Sequence, residues 1–390
     1  MGKLNPVIWL VLSNLLVVFL GIGLIVPVMP TIMREMNLDG QTMGYLVAAF
    51  SFTQLLISPF AGKWVDRFGR KKMIVIGMVI FGISELLFAM GHTVSLLYLA
   101  RFIGGVSAAF TMPAITAYVA DITTLKQRPK AMGYVSAAIN TGFILGPGLG
   151  GFLAEVDTRL PFFTAAGLGF IGALFSLIYL KEPHKPSEAN NKKPSEDTAI
   201  TGWRTLAQPL YFIPFLIILI ASFGLAAYET IYGLFLDHQF SFTVTDIAIL
   251  LTISGVVGTI FQLFLFDGLT RKFGEIGLIR LCLLIAAIMM IFMITAKSFM
   301  WILTVTIIVF LTFDLIRPAL TTYLSKIAGN DQGFVSGLNS TFTSIGNIIG
   351  PIVAGMLFDF QPHSPYVFSM VVLTISLVIA CFWRTPKEFG

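Results

Sequence analysis

Apolar residues run through this chain in long blocks separated by short polar joints. The blocks cover residues 7–30, 43–62, 73–92, 95–119, 131–154, 161–181, 209–236, 245–266, 276–296, 299–324, 334–357 and 364–384. A helix needs ~20 apolar residues to cross a bilayer, so the pattern predicts twelve membrane-spanning helices. One joint is long. Residues 182–208 carry Pro183, Pro186, Pro194, Lys192, Lys193, Glu196 and Asp197, a composition that cannot bury enough apolar area to fold. They form the expected linker between two six-helix domains, residues 1–181 and 209–390. The first block follows Lys3 in the manner of a signal peptide, but it has no small-residue cleavage site and is expected to be a retained helix. Its Gly21, Gly23, Pro27 and Pro30 predict either termination at Pro30 or a broken helix lining a cavity.

The two domains are copies of one unit. Gly133, Gly142, Gly146, Pro147, Gly150 and Gly151 return 204 residues later as Gly337, Gly346, Gly350, Pro351, Ala354 and Gly355. Pro113-Ala114-Ile115-Thr116-Ala117-Tyr118 returns after 205 residues as Pro318-Ala319-Leu320-Thr321-Thr322-Tyr323, and Phe68-Gly69 as Phe273-Gly274. Solenoid repeats have periods of roughly 20–50 residues, so this longer one marks a duplicated domain. The expected fold is an all-α membrane protein of two pseudo-symmetric six-helix bundles. In lipid, helices associate by close backbone approach, and small residues four apart mark their contact faces. Gly142, Gly146 and Gly150 form such a stripe, and Pro147 adds a kink point.

Composition narrows the class further. The chain is 56% hydrophobic and 12% charged, with mean hydropathy +0.87, whereas soluble domains are roughly 25% charged. Of 25 Lys and Arg, 19 fall in the termini, the linker and the joints after even-numbered blocks. Arg34, Arg159 and Lys297 occupy the opposite joints, and Arg101, Arg280 and Arg317 lie within blocks. Basic joints stay in the cytoplasm, so both termini are expected there. The same bias explains the net charge of +5 without nucleic acid.

Other chemistry is thinly represented. Cys282 and Cys381 lie in separate blocks and give no disulfide framework. His92, His184, His238 and His363 lack metal-ligand spacing, and no phosphate-binding loop is present. No enzyme, cofactor or metal is expected, which leaves an ion gradient as the energy source. Charges inside spans cost several kcal/mol unless paired, wet or neutralised. The candidates among them are Glu85, Arg101, Glu229, Asp314 and Arg317. Asp314 and Arg317 are three residues apart on one helical face, so they can pair. The joint Gly62-Lys63-Trp64-Val65-Asp66-Arg67-Phe68-Gly69-Arg70-Lys71-Lys72 holds an acid that insertion bias does not explain, and Asp121 is a candidate partner for Arg67 or Arg70. The second copy keeps Phe273-Gly274 but has no such Asp-Arg pair in register.

The string G-x8-G-x3-G-P-x2-G-G in the fifth block resembles the antiporter motif of major facilitator superfamily exporters, and residues 62–72 are similar to that superfamily's loop 2–3 signature. Leu20 to Pro30, Tyr98 to Gly105, Tyr228-Glu229 and Phe313 to Pro318 extend the resemblance toward bacterial multidrug exporters of the NorA/Bmr/Blt type. The resemblance covers nearly the whole chain. It implies the major facilitator fold, with the first, fourth, seventh and tenth helices around a cavity. Arg101, Glu229, Asp314 and Arg317 would face that cavity, and Glu85 would sit outside it in a structural role.

The function implied is proton-coupled export of hydrophobic, often cationic, drugs and dyes across a bacterial cell membrane. Glu229, Asp314 and Arg101 would couple protons. Phe50, Gln54, Met112, Asn140, Phe143, Glu229, Tyr232, Phe310 and Asn339 would contact substrate, since aromatic and Met surfaces accommodate many shapes and attract cations. Asp66, Arg67, Arg70 and Asp121 would form a cytoplasmic latch. Gly133, Gly142, Gly146, Pro147, Gly150 and Gly151 would hold the two halves in a close, non-leaking contact. Small-molecule drugs, protons and membrane lipid are the expected partners of a monomer. An exporter of one endogenous metabolite, such as a polyamine or sugar, and a non-transporting sensor are the alternatives.

Overall fold

A computed structural model describes residues 6–124, 127–183, 209–327 and 332–383; the expected linker lies, beyond residue 183, outside them. The described residues form eleven helices and no strand. These are α1 (Val7–Met36), α2 (Gly40–Phe68), α3 (Arg70–Ala89), α4 (Val94–Asp121), α5 (Arg128–Ala154), α6 (Leu160–Tyr179), α7 (Pro209–Phe240), α8 (Val244–Ile294), α9 (Phe299–Ile327), α10 (Gln332–Phe360) and α11 (Ser364–Phe382). All eleven are long and apolar enough to span a membrane. The twelfth predicted span is found within α8, whose 51 residues contain a break at Gly274 (φ 69°, ψ 169°). Its two arms are the eighth and ninth blocks. Helices suit this sequence because lipid offers no partner for an unpaired backbone N–H or C=O.

Two pairs of turns show the duplication in the backbone. Gly69 (φ 98°, ψ 155°) separates α2 from α3 as Gly274 separates the arms of α8. That region of backbone space is essentially reserved for glycine, which gives the Phe-Gly echo a physical reason. The second pair is invisible as sequence identity. Asn37 (φ 53°) closes α1 and Ser241 (φ 54°), 204 residues on, closes α7. Leu38 N–H donates to Met33 O at 2.9 Å, and Ser241 N–H to Asp237 O at 2.9 Å. The expectation that α1 ends or breaks at Pro30 is corrected: the helix continues through Pro27 and Pro30 to Met36.

The chain forms two compact units. The first comprises Met1–Leu38, Tyr45–Ala189 and Leu236–Thr252, and the second comprises Asp39–Gly44, Asn190–Phe235 and Ile253–Gly390. They follow the sequence halves except that residues 39–44 and 236–252 are exchanged. In the first unit, α1 packs on α5 and α6, and α3 packs on α4 and α6. Its core includes Leu15, Ile74, Met78, Ala114 and Ile115, with the buried polar pair Asn14 Nδ2 to Ser176 Oγ (2.6 Å) joining α1 to α6. In the second unit, Tyr228, Tyr232, Phe235, Phe313 and Tyr366 are among the fully buried large side chains. Leu174 and Ile178 of α6, and Phe264 and Phe382 of the second unit, are more than half exposed. Lipid accommodates such side chains, whereas water would drive them together.

Candidate functional site

The glycine stripe of α5 is turned toward α1. A Cβ added at Gly142 would lie 2.8 Å from Leu16 O, and one at Gly146 would lie 2.8 Å from Gly23 Cα and Leu20 O. At Gly150 it would lie 3.0 Å from Leu24 O. The stripe therefore packs α5 on α1 within one unit. Gly151 instead faces Val244 and Ala248, and Gly148 faces Thr252, at the start of α8 and in the same unit. Gly133 has nothing within 4 Å.

The second copy repeats this division. Gly346 and Gly350 approach the α7 backbone at Leu219 and Phe223, while Pro351 and Gly355 meet Gly44 and Gly40 of α2. There Asp359 reaches across from α10. Its two oxygens accept the N–H groups of Gly40 (2.7 Å) and Gln41 (2.8 Å), capping α2 from another helix.

In the expected latch, Arg70 is the centre. Its Nη2 meets Asp66 Oδ1 and its Nε meets Asp121 Oδ2, both at 2.8 Å. Arg67 joins neither acid and its guanidinium lies 5.5 Å from the Phe68 ring. Glu182, which the sequence did not single out, accepts the N–H groups of Arg70 (2.5 Å) and Lys71 (3.0 Å) at the start of α3. All these contacts lie in the first unit. In the second unit, Glu275 pairs with Lys326 at 2.5 Å, so the turn at Gly274 has its own ion pair at a shifted register.

The intramembrane charges divide into two groups. Glu85 and Arg101 form a pair at 3.6 Å, each about 4% exposed, and the Arg101 guanidinium lies 4.2 Å from the Phe88 ring centroid. Both are enclosed between α3 and α4, Glu85 as the buried partner of Arg101. Glu229 lies on α7, and Asp314 and Arg317 lie three residues apart on α9. Asp314 and Arg317 do not come within the 4 Å of an ion pair, so their spacing does not produce the pair it allows.

Arg317 lines a cavity of about 160 Å³ together with Ile218, Ala221, Ser222, Leu320, Thr321, Asn339 and Thr343. Asn339, a sequence candidate, is thereby brought to Arg317. Tyr232, another sequence candidate, is fully buried, and its hydroxyl shares Thr306 Oγ1 (2.9 Å) with that of Tyr228 (3.2 Å). Phe310 stands edge-on to Tyr228, with centroids 6.0 Å apart. In the first unit, Phe50 and Gln54 of α2 pack against Gly104 and Gly105 of α4, and Met112 is half-buried against the core. Phe143 is edge-on to Phe19, and Asn140 is exposed. The sequence also missed Arg280, which donates to the last carbonyls of α11, Ala380 O (2.8 Å) and Trp383 O (2.7 Å). Long Arg side chains commonly close helix ends this way.

Helices of membrane-crossing length hold ionisable groups and a small cavity among them, the layout of a multi-pass membrane protein. The profile of the Major Facilitator Superfamily matches residues 11–345 and again 215–389, and the chain belongs to that superfamily. It is 54% identical over 388 residues to Multidrug resistance protein 1 of Bacillus subtilis (strain 168), covering 100% of this chain and 99% of the relative. Multidrug resistance protein 2 of the same organism is 53% identical, at 97% and 95% coverage. Quinolone resistance protein NorA of Staphylococcus aureus is 42% identical over 378 residues, 96% of each chain. Among solved structures, a bacterial homologue of the human lysosomal transporter Spinster superposes with a TM-score of 0.82 at 18% identity, over 97% of each chain. The nucleoside transporter NupG gives 0.78 at 15% identity, over 97% of this chain and 98% of its own. These two likenesses concern the fold alone.

Proposed function

We propose that the chain is a proton-coupled antiporter that exports hydrophobic, often cationic, drugs and dyes from the cytoplasm. The observation that carries the reading is the placing of Glu229 on α7 and of Asp314 and Arg317 one turn apart on α9, both apolar spans, with Arg317 lining a cavity. The resistance proteins of Bacillus and Staphylococcus, similar over nearly their whole length, support the substrate class. Residues 1–181 and 209–390 act as the two bundles, joined by 182–208, with both termini in the cytoplasm as the basic joints require.

Facing the cytoplasm, the ionised carboxylates attract a cation into low-dielectric surroundings, where charge attraction is strong. Facing the more acidic outside, they take up protons, the counter-charge is lost and the cation leaves. A hundredfold change in proton affinity between the two states corresponds to about 2.7 kcal/mol of coupling.

Cells with and without the protein, loaded with ethidium, test the reading. Export abolished by an uncoupler is the expected result. Glu229→Gln and Asp314→Asn, which keep shape and lose the titratable proton, should each reduce uphill export at least about tenfold. Ethidium accumulation unaffected by the protein would replace this reading with the single-metabolite exporter or the sensor.

A further inference from the structure

The coupling scheme above uses no charge in the first unit, yet that unit buries one carboxyl and one guanidinium together. Glu85 and Arg101 touch loosely, through one oxygen and one nitrogen 3.6 Å apart. Glu85 Oε2, Arg101 Nε and Arg101 Nη2 are enclosed without a hydrogen-bond partner. A structural ion pair in lipid is expected to be short and fully hydrogen-bonded, because its desolvation is otherwise uncompensated. This one is neither. Arg101 also has a second support, the face of Phe88 at 4.2 Å. It therefore keeps a stabilising neighbour when Glu85 is neutral.

A polar route leads toward the pair. Glu35 at the end of α1, nearly half exposed, lies 3.7 Å from the Arg159 guanidinium. Arg159, just before α6, donates to Phe88 O at 3.4 Å, on the turn of α3 next to Glu85. Glu35 also accepts from Thr158 Oγ1 at 3.0 Å. These groups stand in the joints that carry few basic residues, the face read as external. The charged group facing Glu85 is Arg101 from α4; Arg159 from the start of α6 and Glu35 from α1 stand beyond Phe88, and all belong to the first unit.

We infer that Glu85, backed by Arg101, is a second proton-binding site, reached from outside past Glu35 and Arg159 and separate from Glu229 and Asp314. The inference rests on the export reading for its role in transport, but proton binding at Glu85 does not depend on that reading. Protonation, by a proton taken from the external water, forms one O–H bond on a Glu85 oxygen and leaves Arg101 on the Phe88 face; release breaks that O–H bond, returns the proton to water and restores the carboxylate.

Infrared difference spectroscopy on the full-length protein in lipid, stepped from alkaline to acidic buffer, tests the site directly. The expected result is a protonated-carboxyl band that persists in the double variant Glu229→Gln/Asp314→Asn and disappears in Glu85→Gln. Glu85→Asp should retain the band at a shifted midpoint, which keeps the assignment decisive if Glu85→Gln does not fold. A double-variant spectrum without the band, or an unchanged band in Glu85→Gln, overturns the site. In proteoliposomes, loss of one proton per cycle in Glu85→Gln should lower the dye gradient sustained by a step of one pH unit about tenfold. A titrating Glu85 with an unaltered gradient would overturn its role in coupling while leaving proton binding intact. Absence of pH-driven dye movement in the wild type would overturn the export reading, with the spectra still deciding proton binding.

Discussion

Thr306 holds two tyrosines in place with one oxygen. Tyr228 and Tyr232 both direct their hydroxyls at it, at 3.2 and 2.9 Å, and all three residues are buried. Thr306→Val keeps the shape and leaves two phenolic hydroxyls without their partner, at a cost of about 1–3 kcal/mol for each. Tyr232→Phe removes one hydroxyl and spares the other bond, so it should cost clearly less. Thermal unfolding in detergent should rank them in that order; equal midpoints would show that the shared bond contributes nothing. No sequence pattern pointed to Thr306, because a threonine in a spanning helix is unremarkable until its partners are known. Ionisable residues are different. Each is expensive in lipid, so Glu85, Arg101, Glu229, Asp314 and Arg317 stood out at once, although their pairing did not follow from sequence spacing. Glu85 found Arg101 sixteen residues away on the next helix, while Asp314 did not pair with Arg317 three residues away.

Between helices, the controlling quantity is the space left by absent side chains. Gly146→Leu would drive a branched side chain into the α1 backbone at Gly23, and overpacking of this kind costs about 1–3 kcal/mol or more. Gly133→Leu enters open space. The first variant should lose both thermal stability and dye export, and the second should retain the stability of the wild type. Equal stability losses would mean that the motif acts as one packing unit after all. At the turns, Gly69→Ala and Gly274→Ala force a Cβ into glycine-only backbone, at a cost of about 1–3 kcal/mol each. Gly69→Ala should be the worse, because its Cβ would also meet the Glu182 carboxylate at 2.7 Å, whereas nothing lies within 4 Å at Gly274. Helix number and the duplicated glycines were legible because both are periodic features of the chain. The partner of each glycine was not, since one stripe supplies contacts to α1 through Gly146 and to α8 through Gly151. Nor was the continuation of α1 past Pro30, for neighbouring helices absorb the loss of a backbone hydrogen bond that would end a helix in isolation.

At the scale of the molecule, the charge bias of the joints and the carboxylates of α7 and α9 lead to one directional expectation. Tags at either terminus should be protected from protease in intact cells and cleaved in inverted vesicles; the opposite pattern would reverse the direction assigned to the proton. The exchange of short segments between the compact units has a consequence of its own, in time rather than space. Gly40 and Gln41 receive their cap from Asp359, 319 residues later for Gly40. At about 5–20 residues per second, a ribosome takes tens of seconds to cover that distance. Throughout this interval α2 is already made while the carboxylate that caps its start is not, and the helix start settles into its final company when α10 emerges. A chain truncated before Asp359 should therefore insert most of its spans yet leave residues 39–44 open to labelling. The first-made half of this protein is completed by nearly the last helix to be synthesised.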